Sequence, residues 1–136
     1  MRPVFRLAAF ALYLIVSGPV LADPANVLAR WYDGLAAGDA TVLAPLIADE
    51  AVFVLQDIGI EQNRDAFLES LPEWREAIAG GSIDWRLDAA GADTATVVVC
   101  YRFPGSAVET RETFAFAGDQ VVRSEQAETG EDCEGS

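Results

Sequence analysis

The second half of the chain alternates apolar and polar residues through four consecutive stretches joined by hairpin-sized turns, and this limits the fold more than any other feature. Ile83, Trp85 and Leu87 alternate with Asp84, Arg86 and Asp88, which gives a strand with one apolar and one charged face. Gly91-Ala92-Asp93 turns the chain into its longest strand, Thr94 to Phe103, where Val97, Val99, Tyr101 and Phe103 share a face opposite Val98, Cys100 and Arg102. Pro104-Gly105-Ser106 leads to a strand over Val108 to Phe116, and Gly118-Asp119 leads to a last one over Gln120 to Gln126. Short connections of this kind join antiparallel neighbours, so the pattern predicts a meander. One face of it must be covered by something apolar.

The first half supplies the cover. Asp23-Pro24 is a cap followed by a residue suited to the first helical turn, and Val27, Trp31 and Leu35 recur at four-residue spacing until Gly38. Asp39 caps a second, shorter helix carrying Val42, Leu43, Leu46 and Ile47, bent near Pro45. Ala51 to Leu55 is β-branched and aromatic and reads as a strand, with Ile58 to Glu61 a short continuation of the sheet. Asn63 offers the cap of another helix with Phe67, Leu68 and Leu71. Pro72 restarts or kinks it before Trp74 and Ile78, and Gly80-Gly81 ends it.

Residues 1–22 read as a signal peptide: Arg2 and Arg6, an apolar run from Leu7 to Val16, the breaker pair Gly18-Pro19, and the exit Val20-Leu21-Ala22. The apolar run is shorter than the roughly 18–20 residues a spanning helix needs, so no stable membrane insertion is expected after cleavage. The rest divides into a domain over 23–126 and an acidic tail over 127–136, long enough for one core. The sequence has 22 acidic residues, 9 arginines, and neither lysine nor histidine, for a net charge of −13. Cleavage would remove two of the arginines. Such a field repels nucleic acid and anionic lipid, and neither is expected as a partner. Cys100 and Cys133, an even pair in an exported chain, are expected to form a disulfide tying the tail to the outer sheet face. With no histidine and two cysteines, no metal site of the zinc or copper kind is expected. The expected location is the periplasm or outside the cell.

The order of helices, one strand, a helix and then long antiparallel strands resembles the cone-shaped α+β fold of the nuclear transport factor 2-like superfamily. The segment from Trp31-Tyr32-Asp33-Gly34-Leu35-Ala36-Ala37-Gly38-Asp39 through Leu43-Ala44-Pro45-Leu46-Ile47-Ala48-Asp49-Glu50-Ala51-Val52-Phe53 looks like the opening of its SnoaL-like and ketosteroid-isomerase-like members. The resemblance implies N-terminal helices packed on a curved antiparallel sheet, with an apolar cavity between them, in an exported bacterial member. It implies no cofactor and leaves activity open, because this scaffold hosts isomerases, dehydratases, cyclases, adaptors and binding modules.

By alternation, Tyr101, Phe103, Phe114 and Phe116 face the cavity, with Trp31 and Tyr32 from the first helix and Phe53 from the first strand. These aromatics either line a pocket or fill a core. The resemblance also implies a carboxylate base near the end of the first strand and a tyrosine donor on the first helix. The expected base position holds Leu55, and Asp57 lies two residues on, on the same face if the strand continues. The matching helix position holds Trp31, and Tyr32 is turned by about 100 degrees from it. A second acid comes from alternation alone: if Val108, Phe114 and Phe116 face inward, so do Thr110 and Glu112. A one-residue slip would send Glu112 outward instead. Beside a purely structural or stress-related accessory role, two functions follow: non-catalytic binding of a small apolar ligand or a protein partner, with a homodimer through the sheet as one form of it, or a small isomerase or lyase. The latter would use Asp57 or Glu112 as acid or base, with Tyr32 or Tyr101 as donor. Asp84, Arg86, Asp88, Arg102, Glu109 and Arg111 fall on the outer face, where cross-strand charge pairs are expected.

Overall fold

The computed structural model describes residues 23–133; the signal peptide reading and the end of the tail lie outside the described residues. Helix α1 (Pro24–Ala37) starts where the Asp23 carboxylate accepts a hydrogen bond from the Ala25 N–H, and it buries Val27, Leu28, Trp31, Tyr32 and Leu35. A short α2 (Ala40–Leu43), capped by Asp39, runs into a 3₁₀ turn at Ala44–Leu46. Strand β1 (Ile47–Leu55) follows, beginning four residues earlier than its β-branched run suggests. A second 3₁₀ turn over Gln56–Ile58 leads into β2 (Ile60–Asn63). Asn63 caps α3 (Arg64–Glu69), and the chain restarts at Pro72 in α4 (Leu71–Ile78), because proline has no N–H to continue the ladder. The meander then runs β3 (Ser82–Ala90), β4 (Thr94–Phe103), β5 (Ser106–Ala117) and β6 (Gln120–Glu128).

All six strands form one sheet in the order β2-β1-β6-β5-β4-β3. The hairpins of the meander are antiparallel as expected, but β1 lies parallel to β6, so the sheet is antiparallel everywhere except at this seam. No turn joins those two strands, and their relative direction is fixed only by how the helices return the chain. Register shifts between Ile47 and Val52, Leu87 and Ala89, and Ala115 and Phe116 increase the local bend and twist of the sheet. The helices sit in the concavity, and the core between the layers includes Leu28, Leu43, Val97, Val99 and Val121, all fully buried.

The helices are locked to one another by polar contacts at their ends. Gly38 closes α1 in the left-handed region (φ 59°), and Arg75 of α4 donates from Nη2 to the Gly38 carbonyl at 2.7 Å. The indole N–H of Trp74 donates to the Leu35 carbonyl at 2.8 Å. Arg75 thereby satisfies a carbonyl at the helix C-terminus, and Trp74 adds a second donor to the Leu35 carbonyl, which also accepts from the Gly38 N–H at 3.0 Å. A Cβ at position 38 would sit 2.7 Å from the Arg75 Cβ. Gly38→Ala therefore combines backbone strain with displacement of α4, and should lower the unfolding free energy by about 2–3 kcal/mol in urea titrations. A change below about 0.5 kcal/mol would show that the α1–α4 corner is looser than this geometry requires.

The outer face carries the expected ion pairs, Arg102 with Asp84 and Arg111 with Asp88. Exposed pairs of this kind contribute about 0–1 kcal/mol each. Glu109 differs: it is buried, because the tail folds over it and Thr129 bonds both its backbone carbonyl and, at 3.0 Å, its Oε1. The Cys100–Cys133 disulfide fastens this tail, with the Cα atoms 5.6 Å apart. Strand β6 continues to Glu128, two residues into the segment read as tail. Among the described residues no helix is long and apolar enough to cross a membrane.

Candidate functional site

The sheet and helices do not close completely on one another. Between α1, α3, α4 and the concave sheet lies a cavity of about 400 Å³ whose wall includes the rings of Trp31, Phe53, Phe67, Trp74, Tyr101 and Phe103. Exposed Glu73 and Ala77 of α4 also border it, so the space reaches the surface beside this helix. The volume lies within the range of small-molecule sites, which are mostly apolar with a few placed polar groups.

The rings form two groups. Trp31 stacks near Phe53 (5.8 Å between centroids) and Phe67 (5.4 Å), while Trp74 meets Tyr101 (5.6 Å) and Phe103 (5.8 Å) edge to face. α1 contributes Trp31 and α4 contributes Trp74, and strand alternation aims Tyr101 and Phe103 inward from β4. Phe114, Phe116 and Tyr32 are buried beside the cavity rather than in its wall. Phe114 stacks on Phe116 and meets the edges of both Trp31 and Tyr32, and Tyr32 stacks on Trp85.

One carboxylate lies in this apolar wall. Glu112 of β5 is 3% exposed and points inward, as alternation with Thr110 and Phe114 predicts. Three hydroxyls converge on it. Tyr32 donates to Oε1 at 2.8 Å, and Tyr101 and Thr110 donate to Oε2 at 2.5 and 2.8 Å. Burial pushes the Glu112 carboxyl up from its ordinary value, and the hydroxyls of Tyr101, Tyr32 and Thr110 oppose that by bonding the charged form. Burial, with Glu112 alongside, also drives the Tyr32 and Tyr101 hydroxyls well above the ordinary tyrosine value, so both keep their protons across the physiological range. Among the described residues the ion pairs are all on other carboxylates, and no arginine lines the cavity.

Asp57 occupies a different place from the one its spacing suggests. The strand ends at Leu55, the 3₁₀ turn breaks the two-residue period, and Asp57 is exposed with its Oδ2 accepting from the Glu128 N–H at 2.7 Å. It ties the β1–β2 turn to the end of β6 and is not part of the cavity wall. Leu55, where the resemblance implies the base, does line the cavity with an apolar side chain. Tyr32, although turned from the matching helix position, reaches the carboxylate across the core.

Several wall residues escape the sequence reading. Phe67 and Trp74 have the helical spacing of plain core residues, and Ser124 and Gln126 belong to the meander strand with the fewest apolar positions. For Ser124 and Gln126 the available signal is strand alternation, which turns both toward the helices. Among the described residues no cluster of metal-ligating side chains occurs.

A family model for the SnoaL-like domain matches residues 28–128. A comparison with curated proteins gave no match. Among solved structures, an NTF-2-like protein from Burkholderia xenovorans superposes with a TM-score of 0.65 at 19% identity, over 82% of this chain and 87% of its own. IdmH of Streptomyces antibioticus, a candidate polyketide cyclase, gives 0.61 at 16%, over 79% of this chain and 92% of its own. A protein from Catenulispora acidiphila with a ketosteroid isomerase-like fold, solved with trimethylamine, gives 0.59 at 16%, over 74% of this chain and 83% of its own. At these identities the shared property is the fold.

Proposed function

The chain belongs to the SnoaL-like domain family, and from that premise we propose that it binds a small, largely apolar molecule in the cavity between its helices and sheet. The observation that carries this reading is the space itself: about 400 Å³ bounded by aromatic rings, with a single buried carboxylate in the wall. An aromatic core that only needed to be stable would close that space, since interiors pack to near crystal density. The disulfide and the leader-like residues 1–22 support work in an oxidising compartment, the periplasm or the exterior.

The same site supports a second reading, proton transfer by Glu112 as in a small isomerase or lyase. Its support is the set of hydroxyls on one buried carboxyl, an arrangement that can hold either protonation state. Both readings require an occupant, so binding is tested first. A neutral aromatic probe such as 2-naphthol should change the emission of Trp31 and Trp74 saturably. Val108→Trp, which fills the cavity from the β5 side, should weaken that binding at least about tenfold, a loss of roughly 1.4 kcal/mol. Absence of saturable binding of neutral and cationic probes alike, or equal affinity in the filled variant, would overturn the reading.

A further inference from the structure

We infer that the cavity's preferred occupant is a small organic ammonium ion with apolar substituents, its cationic nitrogen facing Glu112 and its substituents lying against the aromatic wall. This deepens the binding reading above and rests on it.

The hydroxyl protons facing Glu112 are already committed. The Tyr32, Tyr101 and Thr110 hydroxyls all donate to Glu112. The Ser70 hydroxyl donates to the Phe67 carbonyl at 2.6 Å, and the Trp74 N–H is committed to Leu35. A carbonyl ligand placed at Glu112 would thus have to draw a hydroxyl away from the carboxylate, the other side-chain donors of the wall being Gln62, Ser124 and Gln126. A ligand that brings its own positive charge or N–H group would not. Glu112 can accept four hydrogen bonds and receives three, with Oε1 taking only the one from Tyr32.

Charge points the same way. A buried carboxylate is ordinarily held by a cation, yet Glu112 has only hydroxyls around it and no arginine in the cavity wall. Glu73 adds a second acid on the α4 side of the cavity, and the chain as a whole carries a net charge of −13. The field therefore raises the local concentration of cations. Six aromatic side chains complete the site, and ring faces attract ammonium groups most strongly when water is excluded. An apolar core alone accounts for the rings, and a structural polar network alone accounts for Glu112. Their meeting at an open, cation-free space is what an ammonium ligand explains.

The test uses two probes of nearly the same shape that differ in charge, benzyltrimethylammonium and neopentylbenzene, titrated against the purified protein by tryptophan fluorescence. The cation should bind at least about tenfold more tightly, and Glu112→Gln should remove most of that preference while leaving the affinity for neopentylbenzene within about threefold. Circular dichroism and melting of the variant establish that it is folded, and the probe pair on the unaltered protein needs no variant at all. If neopentylbenzene binds as tightly as the cation, or if Glu112→Gln leaves the preference intact, the inference falls while the binding reading stands. If neither probe nor 2-naphthol binds, both fall.

Discussion

Glu112→Ala should lower the unfolding free energy by about 3–6 kcal/mol, because it leaves the hydroxyls of Tyr32, Tyr101 and Thr110 without their acceptor at about 1–3 kcal/mol each, partly relieved by water entering the cavity. Glu112→Gln keeps the shape and can both accept from and donate to hydroxyls, so its loss should be much smaller. The pH dependence separates the two causes. Burial raises the folded-state pKa of Glu112 above its unfolded value, so between those values the native state holds the proton more tightly. The stability this contributes is fully present below the unfolded pKa, near 4.3, and is lost as pH rises through the folded pKa. Glutamine carries no such dependence. The Gln variant should therefore gain on the unaltered protein as pH rises from about 4 and reach a constant difference above the folded pKa. The groups around Glu112 that titrate are Tyr32 from α1 and Tyr101 from β4, both held above the ordinary tyrosine value, with Glu73 bordering the same cavity. Urea titrations of the three proteins from pH 4 to 8 provide the comparison, since the other carboxylates contribute equally and cancel. A Gln variant that loses ground with rising pH would reverse the assignment of burial as the dominant influence.

Replacing both cysteines by alanine should cost about 3–4 kcal/mol, the chain-entropy value for a cross-link across 33 positions. The loss should concentrate at the tail. Cys133 is 5% exposed and Thr129 bonds Glu109, so the native bond both shortens the unfolded ensemble and keeps the segment beyond Glu128 on the outer sheet. Hydrogen exchange at the Thr129 amide, which donates to the Glu109 carbonyl at 3.0 Å, should accelerate in the double variant well beyond the change in the β4–β5 ladder. Uniform acceleration would mean that the disulfide stabilises the whole domain and not the tail preferentially. Retention of full stability would remove the structural role altogether.

These two expectations differ in how far the sequence reaches them. The Cys100–Cys133 pairing follows from an even cysteine count and from alternation, which puts Cys100 on the outer face where a tail can cross. The burial of Glu112 also follows from alternation, given that β5 keeps its register. The partners of Glu112 do not. Tyr32 is 80 positions away, and its helical position argues against it until the α1–sheet geometry is known. Asp57 shows the converse failure. A period-two argument carries an inward direction only while the strand persists, and two residues of 3₁₀ turn were enough to move that carboxylate to the β6 end.

The sequence by itself determined the caps, the helical faces, the four-strand meander and the residues that turn toward the helices, because each depends on neighbours a few positions apart or on a regular period. Tertiary structure alone decided that β1 runs parallel to β6, that three hydroxyls from three elements meet on one carboxylate, and that the aromatic face encloses a space instead of filling it. Periodicity reports which side chains leave water. Whether they then meet depends on sheet curvature, set here by register shifts in β1, β3 and β5, and on how far α1 and α4 stand from the concave face. Those are distances between segments that no local pattern encodes.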